Sequence, residues 1–133
     1  KWRVSSAFFF GKYIDFDGKY GYQCVDLIRK YIHDVYGLSP YLALPYTGNA
    51  KDIFYRFPDS GNKYFTKIYN SPTNVPDRGD ILFFKTSYWF PFLFGTAGHV
   101  GVVDLAELYN IILFNQNYPT GKPCIFTRFK YKD

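Results

Sequence analysis

The apolar positions of this chain change period partway along, from helical to strand-like. Cys24, Ile28, Tyr31, Ile32 and Val35 recur at i, i+4, i+7, i+8 and i+11, which predicts a helix from Cys24 to Tyr36, with Gly37 as its stop. A shorter helix is predicted over about Asn49 to Phe57, with Asn49 placed to cap it. From Pro58 to Pro76 the chain is polar and turn-rich. Beyond it, apolar runs predict strands near Asp80 to Lys85, Gly98 to Asp104, Tyr109 to Asn117 and Cys124 to Lys130. Helices first and consecutive strands afterwards imply an α+β fold, with N-terminal helices packed on an antiparallel β-sheet.

The densest chemistry precedes the Cys24 helix. In DFDGKYGYQCVD, the side chains of Asp15 and Asp17, the carbonyls of Lys19 and Gly21, and Asp26 fall at positions 1, 3, 5, 7 and 12 of a loop, the EF-hand spacing for a hard cation. The likeness is one of spacing. Lys19 offers only its backbone oxygen, Tyr20 replaces the usual turn glycine, and the closing residue is Asp where an EF-hand has Glu. The alternative is an Asx-type turn, in which Asp15 and Asp17 bond nearby amides without a metal. Cys24 lies inside this loop and in the first turn of the predicted helix. There the orphan N–H groups and the positive end of the helix dipole favour a thiolate, which makes Cys24 a candidate nucleophile. A small buried hydrophobe is the other role a free cysteine takes.

A cysteine nucleophile needs a base, and the chain has two histidines. His33 lies nine residues after Cys24 on the same helix, so at about 100° per residue it points to roughly the opposite face. His99 remains. It opens GHVGVVD, a predicted strand on which His99, Gly101 and Val103 share one face. A third residue must hold the imidazole, and NIILFNQN supplies candidates. Alternation places Asn115 and Asn117 together at the end of an apolar strand, where they serve the histidine or simply open the turn toward Pro119 and Gly121.

Cysteine on a helix, then histidine and a polar residue on following strands, is the papain-like order. From about Phe10 to Tyr118 the chain resembles a CHAP domain, the cysteine- and histidine-dependent amidohydrolase/peptidase module of phage lysins and bacterial cell-wall hydrolases. The resemblance rests on DFDGKYGYQCVDL, GNAKDI, PDRGDILFF, GHVGVV and FNQN. It implies a papain-like fold and hydrolysis of an amide bond in peptidoglycan, with Cys24 as nucleophile, His99 as general base and Asn115 as the orienter of the imidazole. Asn117 becomes a second polar residue of the site, and Gln23 helps place the substrate carbonyl or oxyanion. It further implies a structural Ca²⁺ held by Asp15, Asp17, Lys19, Gly21 and Asp26. The chain departs from close relatives in carrying Asn115 where Glu is common, and in the aromatic stretch KTSYWFPFLFGTAG before His99.

Composition narrows the setting. The 133 residues, 47% hydrophobic and 23% aromatic, suffice for one domain with a core, residues 1–133. A net charge of +5 suits a polyanionic partner such as nucleic acid, a membrane surface or a teichoic-acid-bearing wall. Lys and Arg are scattered, which argues against nucleic acid. Cys24 as nucleophile must stay unbridged, so Cys124 is expected as a strand core residue. No apolar run approaches a membrane span. The chain has no methionine and is expected to be a domain cut from a longer protein, linked to a further wall-binding or virion module. The expected location is extracellular, at the bacterial cell wall, as part of a phage lysin or virion.

Two alternatives to a peptidoglycan hydrolase use the same residues. One is a catalytically silent wall-binding or virion-structural module of this fold, and the other is a transglutaminase- or acyltransferase-like enzyme in which an amine resolves the acyl-enzyme. The Trp89 to Phe94 stretch, too short to span a bilayer and broken by Pro91, is expected to be satellite core or an exposed tip that walls the substrate groove or contacts a membrane or partner subunit.

Overall fold

The computed structural model describes residues 2–85 and 97–130. Four helices come first: α1 (Trp2–Phe9), α2 (Cys24–Tyr36), α3 (Pro40–Ala43) and α4 (Ala50–Arg56). Four strands follow: β1 (Ile81–Phe84), β2 (His99–Ala106), β3 (Asn110–Asn115) and β4 (Ile125–Lys130). They form one antiparallel sheet in the order β1-β2-β3-β4. This is the α+β, papain-like arrangement expected, with helices packed on an antiparallel sheet.

The helix α2 has the predicted bounds, with Gly37 closing it in the left-handed conformation (φ 65°). Its apolar face meets one side of the sheet, where Leu27, Ile28, Tyr31 and Ile32 pack in a cluster with Val100, Val102, Phe114 and Cys124. A Leu or Ile fully buried in this way stabilises by about 1.5–3 kcal/mol. On the other face, among the described residues, Val103, Ile111 and Leu113 form a second cluster with Leu82, Phe84, Ala106 and Phe129 packed against it. Cys124 is buried in the first cluster, just ahead of β4.

Two short helices were not legible as periods. The helix α1 is eight residues, too short for a clear apolar face, and α3 is a single turn started by Pro40. Asn49 precedes α4, but its side chain makes no capping bond and instead donates to the Asp52 carboxylate at 3.0 Å. The strand expected to end at Asp104 continues to Ala106 through an irregularity between Val103 and Leu105. The strand expected to reach Asn117 stops at Asn115, and Asn117 takes a left-handed backbone (φ 61°). The aromatic stretch Trp89 to Phe94 lies outside the described residues. No helix among the described residues is long and apolar enough to cross a membrane.

Candidate active site

Cys24 opens α2. Gln23, extended at the N-cap, donates its backbone N–H to the Asp26 carboxylate at 2.9 Å, while the Asp26 N–H returns to the Gln23 carbonyl at 3.1 Å. This reciprocal pair fixes the first turn. The backbone N–H groups of Val100, Val25 and Cys24 itself face the sulfur and favour its anion, as the helix-terminus argument anticipates. Burial acts the other way and is the larger effect, so the thiol is pushed up to about 11. Cys24 therefore rests as a thiol at neutral pH and needs a base. The Val100 contact also places the sulfur beside the peptide group that links Val100 to His99.

Two glycines set His99 in place. Gly98 is left-handed (φ 75°), and a Cβ there would strike the Phe84 carbonyl. A Cβ on Gly101 would lie 2.8 Å from the Phe114 carbonyl, so the close approach of β2 to β3 requires glycine. His99 pairs with Phe84 in the sheet register and is 3% exposed, with the rings of Tyr118, Phe84 and Phe129 at 5.4, 6.4 and 6.5 Å. His99 Nε2 lies 2.7 Å from Asn115 Oδ1. The Asn115 amide nitrogen donates to Thr127 Oγ1 at 2.9 Å and to the Ile125 carbonyl at 3.1 Å, so its oxygen must face the ring. Nε2 is then the protonated nitrogen, and Nδ1 is the basic one. Burial pushes the His99 pKa down to about 4, with Asn115 opposing. His33 is exposed beside Asp34 at 2.7 Å, on the outer side of α2.

Asn115 and Asn117 are thus separated by the turn of the chain. Asn117 Nδ2 donates to Gln23 Oε1 at 3.2 Å, its Oδ1 accepts the Gly121 N–H at 2.8 Å, and Gln23 Nε2 donates to the Tyr20 carbonyl at 2.8 Å. Asn117 holds the residue before the nucleophile, not the imidazole. Between the two asparagines lies Gln116, fully buried, which sequence reasoning did not single out. Its signal was available: by alternation it shares the inward face of Phe114, where a lone amide must find partners.

Asp15, Asp17 and Asp26 each bring one carboxylate oxygen to within 4.8 Å of the others. Asp17 also forms the Asx turn, accepting the Lys19 N–H at 2.8 Å. Gly18, Tyr20 and Gly21 are all left-handed (φ 70°, 59° and 69°), which coils the loop tightly. The Arg29 guanidinium stands 2.8 Å from Asp17 and 3.7 Å from Asp26. Burial raises the Asp26 pKa, with Asp17 adding to it. Three converging carboxylates, two bearing on one buried cation, are an oxygen donor set that fits a hard divalent ion. A cavity of about 320 Å³ opens beside the loop, bounded in part by Asp17, Asp26, Arg29, Tyr20, Gln23 and Tyr46.

The CHAP domain family model matches residues 13–117, which contain all of these groups. The chain is also similar to a protein named Endolysin PlyTW from Staphylococcus phage Twort, with 32% identity over 108 residues. That match covers 78% of this chain and 21% of the phage protein, so the chain spans about a fifth of its relative's length. A half-buried cysteine at a helix start, an imidazole held by an amide on the neighbouring strand, and a family match across most of the sequence lead to one assignment: this chain belongs to the CHAP domain family.

Proposed function

We propose that this domain is a cysteine peptidoglycan hydrolase that cleaves an amide bond in the bacterial wall, working outside the host cell membrane as part of a phage lysin or virion. The observation that carries the reading is the His99–Asn115 bond, which fixes the tautomer that leaves Nδ1 as base on the strand whose next amide faces the Cys24 sulfur. The likeness to a phage endolysin supports the substrate class. On this reading Cys24 Sγ attacks the scissile carbonyl carbon as its proton passes to His99 Nδ1. The imidazolium then protonates the departing amine nitrogen, leaving an acyl thioester. Water attacks the thioester, giving its proton to His99, and the thiol is restored as the acid product leaves. The bond cut is either the N-acetylmuramoyl-L-alanine amide or a peptide bond of the stem or cross-bridge, since both are amides open to the same chemistry.

A Ca²⁺ ion belongs to the same proposal. Asp15, Asp17 and Asp26 would hold it through carboxylates, and Lys19 and Gly21 through carbonyls, and its positive charge would tie the loop to the first turn of α2. The proton and acyl transfers themselves run on Cys24 and His99.

The test is hydrolysis of purified staphylococcal peptidoglycan, with the released fragments read by mass spectrometry. Cys24→Ala and His99→Ala should each lower release by about 10³-fold or more while the fold persists. Cys124→Ala should retain activity. Release by a folded Cys24→Ala variant rules out the mechanism, and the new chain ends identify the bond.

A further inference from the structure

All four hydrogen-bonding positions of the Gln116 carboxamide are engaged. Its Oε1 accepts the Ile14 N–H at 2.7 Å and the Cys124 thiol at 3.2 Å, and its Nε2 donates to the carbonyls of Ile14 at 2.7 Å and Gln23 at 2.8 Å. A carboxamide has two donors and two acceptor lone pairs, so the set is complete. Gln116 itself is fully buried, one residue after the amide that holds His99.

The bond to the Gln23 carbonyl bears on catalysis through the geometry of the peptide group. The Gln23–Cys24 peptide is trans, so its C=O and N–H point in opposite directions within one plane. Gln116, at 2.8 Å, and the Asp26 N–H, at 3.1 Å, hold this carbonyl together, and anchoring it fixes the direction of the Cys24 N–H. That N–H faces the Cys24 sulfur, beside the N–H groups of Val25 and Val100. When the sulfur attacks a carbonyl, negative charge develops on an oxygen one bond from the attacked carbon, within reach of such amides.

We infer that Gln116 is a positioning residue for acyl transfer, which clamps the Gln23–Cys24 peptide so that the Cys24 N–H is aimed at the developing oxyanion. The same amide brackets Ile14, the residue before Asp15, and so ties the start of the acidic loop to the strand that carries Asn115. The Cys124 thiol meets only Oε1, from the core side, and takes no part in the Nε2 bond that holds the Gln23 carbonyl. Glu cannot replace Gln here, because an ionised carboxylate would set acceptor against acceptor at both carbonyls.

This inference rests on the proposed thiol mechanism, and its test compares two reactions of one nucleophile. Alkylation of Cys24 by iodoacetamide is a displacement at carbon that creates no oxyanion, whereas peptidoglycan hydrolysis passes through one. In a Cys124→Ala background, so that a single thiol reacts, Gln116→Met should lower the maximal rate of peptidoglycan hydrolysis roughly tenfold to a hundredfold, with half-saturation little changed. The alkylation rate should fall by much less, to within a few-fold of the parent, because the N–H groups of Val100 and Val25 still face the sulfur and the imidazole remains in place. A purely structural role moves both rates together, and that parallel loss, or no loss in either, overturns the inference. If Gln116→Met does not fold, Gln116→Glu is judged by the same ratio. Failure of both variants to unfold cooperatively assigns Gln116 to folding alone and overturns the inference too. Should the parent protein release nothing from peptidoglycan, the functional reading itself fails and this one with it.

Discussion

Asn115 holds the imidazole without adding charge, and that choice sets the resting state of the site. With the Cys24 thiol pushed up to about 11 and the His99 imidazole down to about 4, the neutral pair persists across the neutral range. The acid limb of the rate profile should then lie near the low His99 value. Asn115→Asp places a carboxylate against Nε2 and should raise the His99 pKa by about one to three units, moving that limb toward neutrality. The pH dependence of kcat/KM on a soluble muropeptide measures it, and an unmoved limb would mean that another group governs activity. His99 also links stability to pH. The unfolded chain protonates it near 6.5 and the folded chain only near 4, so its stabilisation is complete above 6.5 and lost as pH falls between these values. The total is about 3 kcal/mol at one pKa unit per 1.36 kcal/mol. Urea midpoints of His99→Gln should therefore depend less steeply on pH over that interval than those of the parent. Asn115→Ala should cost orders of magnitude in rate and Asn117→Ala far less, because of the two asparagines Asn115 is bonded to the ring and Asn117 to Gln23. Cys24 and His99 could be picked out as candidates because the chain offers so few thiols and imidazoles, whereas alternation left Asn115 and Asn117 open and only the family resemblance favoured Asn115. The Asn117–Gln23 bond was not legible, since it follows from a left-handed residue that alternation cannot foresee.

Helix α2 could be read to the residue because both of its ends carry local signals: a carboxylate three residues after the cap, and a glycine that takes the left-handed exit. The loop before it was half legible. Its carboxylate spacing is in the sequence, but Arg29 is not, because only the fold brings that guanidinium onto Asp17 from one turn further along the helix. Arg29 supplies positive charge where the proposed Ca²⁺ would sit, so ion and guanidinium serve the same carboxylates. Removing Ca²⁺ with EGTA should lower Tm, by an amount equivalent to about 2.7 kcal/mol when the free ion had stood at a hundred times its Kd. Asp15→Ala should abolish that difference. Arg29→Met should enlarge it, since the chelated protein then leaves Asp17 and Asp26 without their cation. Equal Tm with and without Ca²⁺ in the parent protein would refute the metal proposal and leave the Asx turn at Asp17 as the whole of the loop's chemistry.

On the scale of the whole molecule, the fold class was the most legible property, because the order of helical and strand periods determines which layers can pack. What periods cannot report is how the domain meets its substrate. Lys and Arg are scattered along the sequence, so the net charge of +5 is expected to act as a diffuse field and not as a docking patch. Such a field would draw the domain toward the anionic wall of the proposed function and would weaken as salt shortens its reach, from about 10 Å at 0.1 M to about 3 Å at 1 M. Hydrolysis of intact walls that carry teichoic acid should therefore slow several-fold between 0.05 and 0.5 M NaCl. Cleavage of a small soluble muropeptide, which meets the groove by diffusion alone, should change little over the same range. Because the chemistry of Cys24 and His99 is common to both substrates, a matched decline in the two would place the salt effect on the site itself. A wall rate indifferent to salt would mean that contacts in the groove, and not the charge of the domain, bring it to the wall.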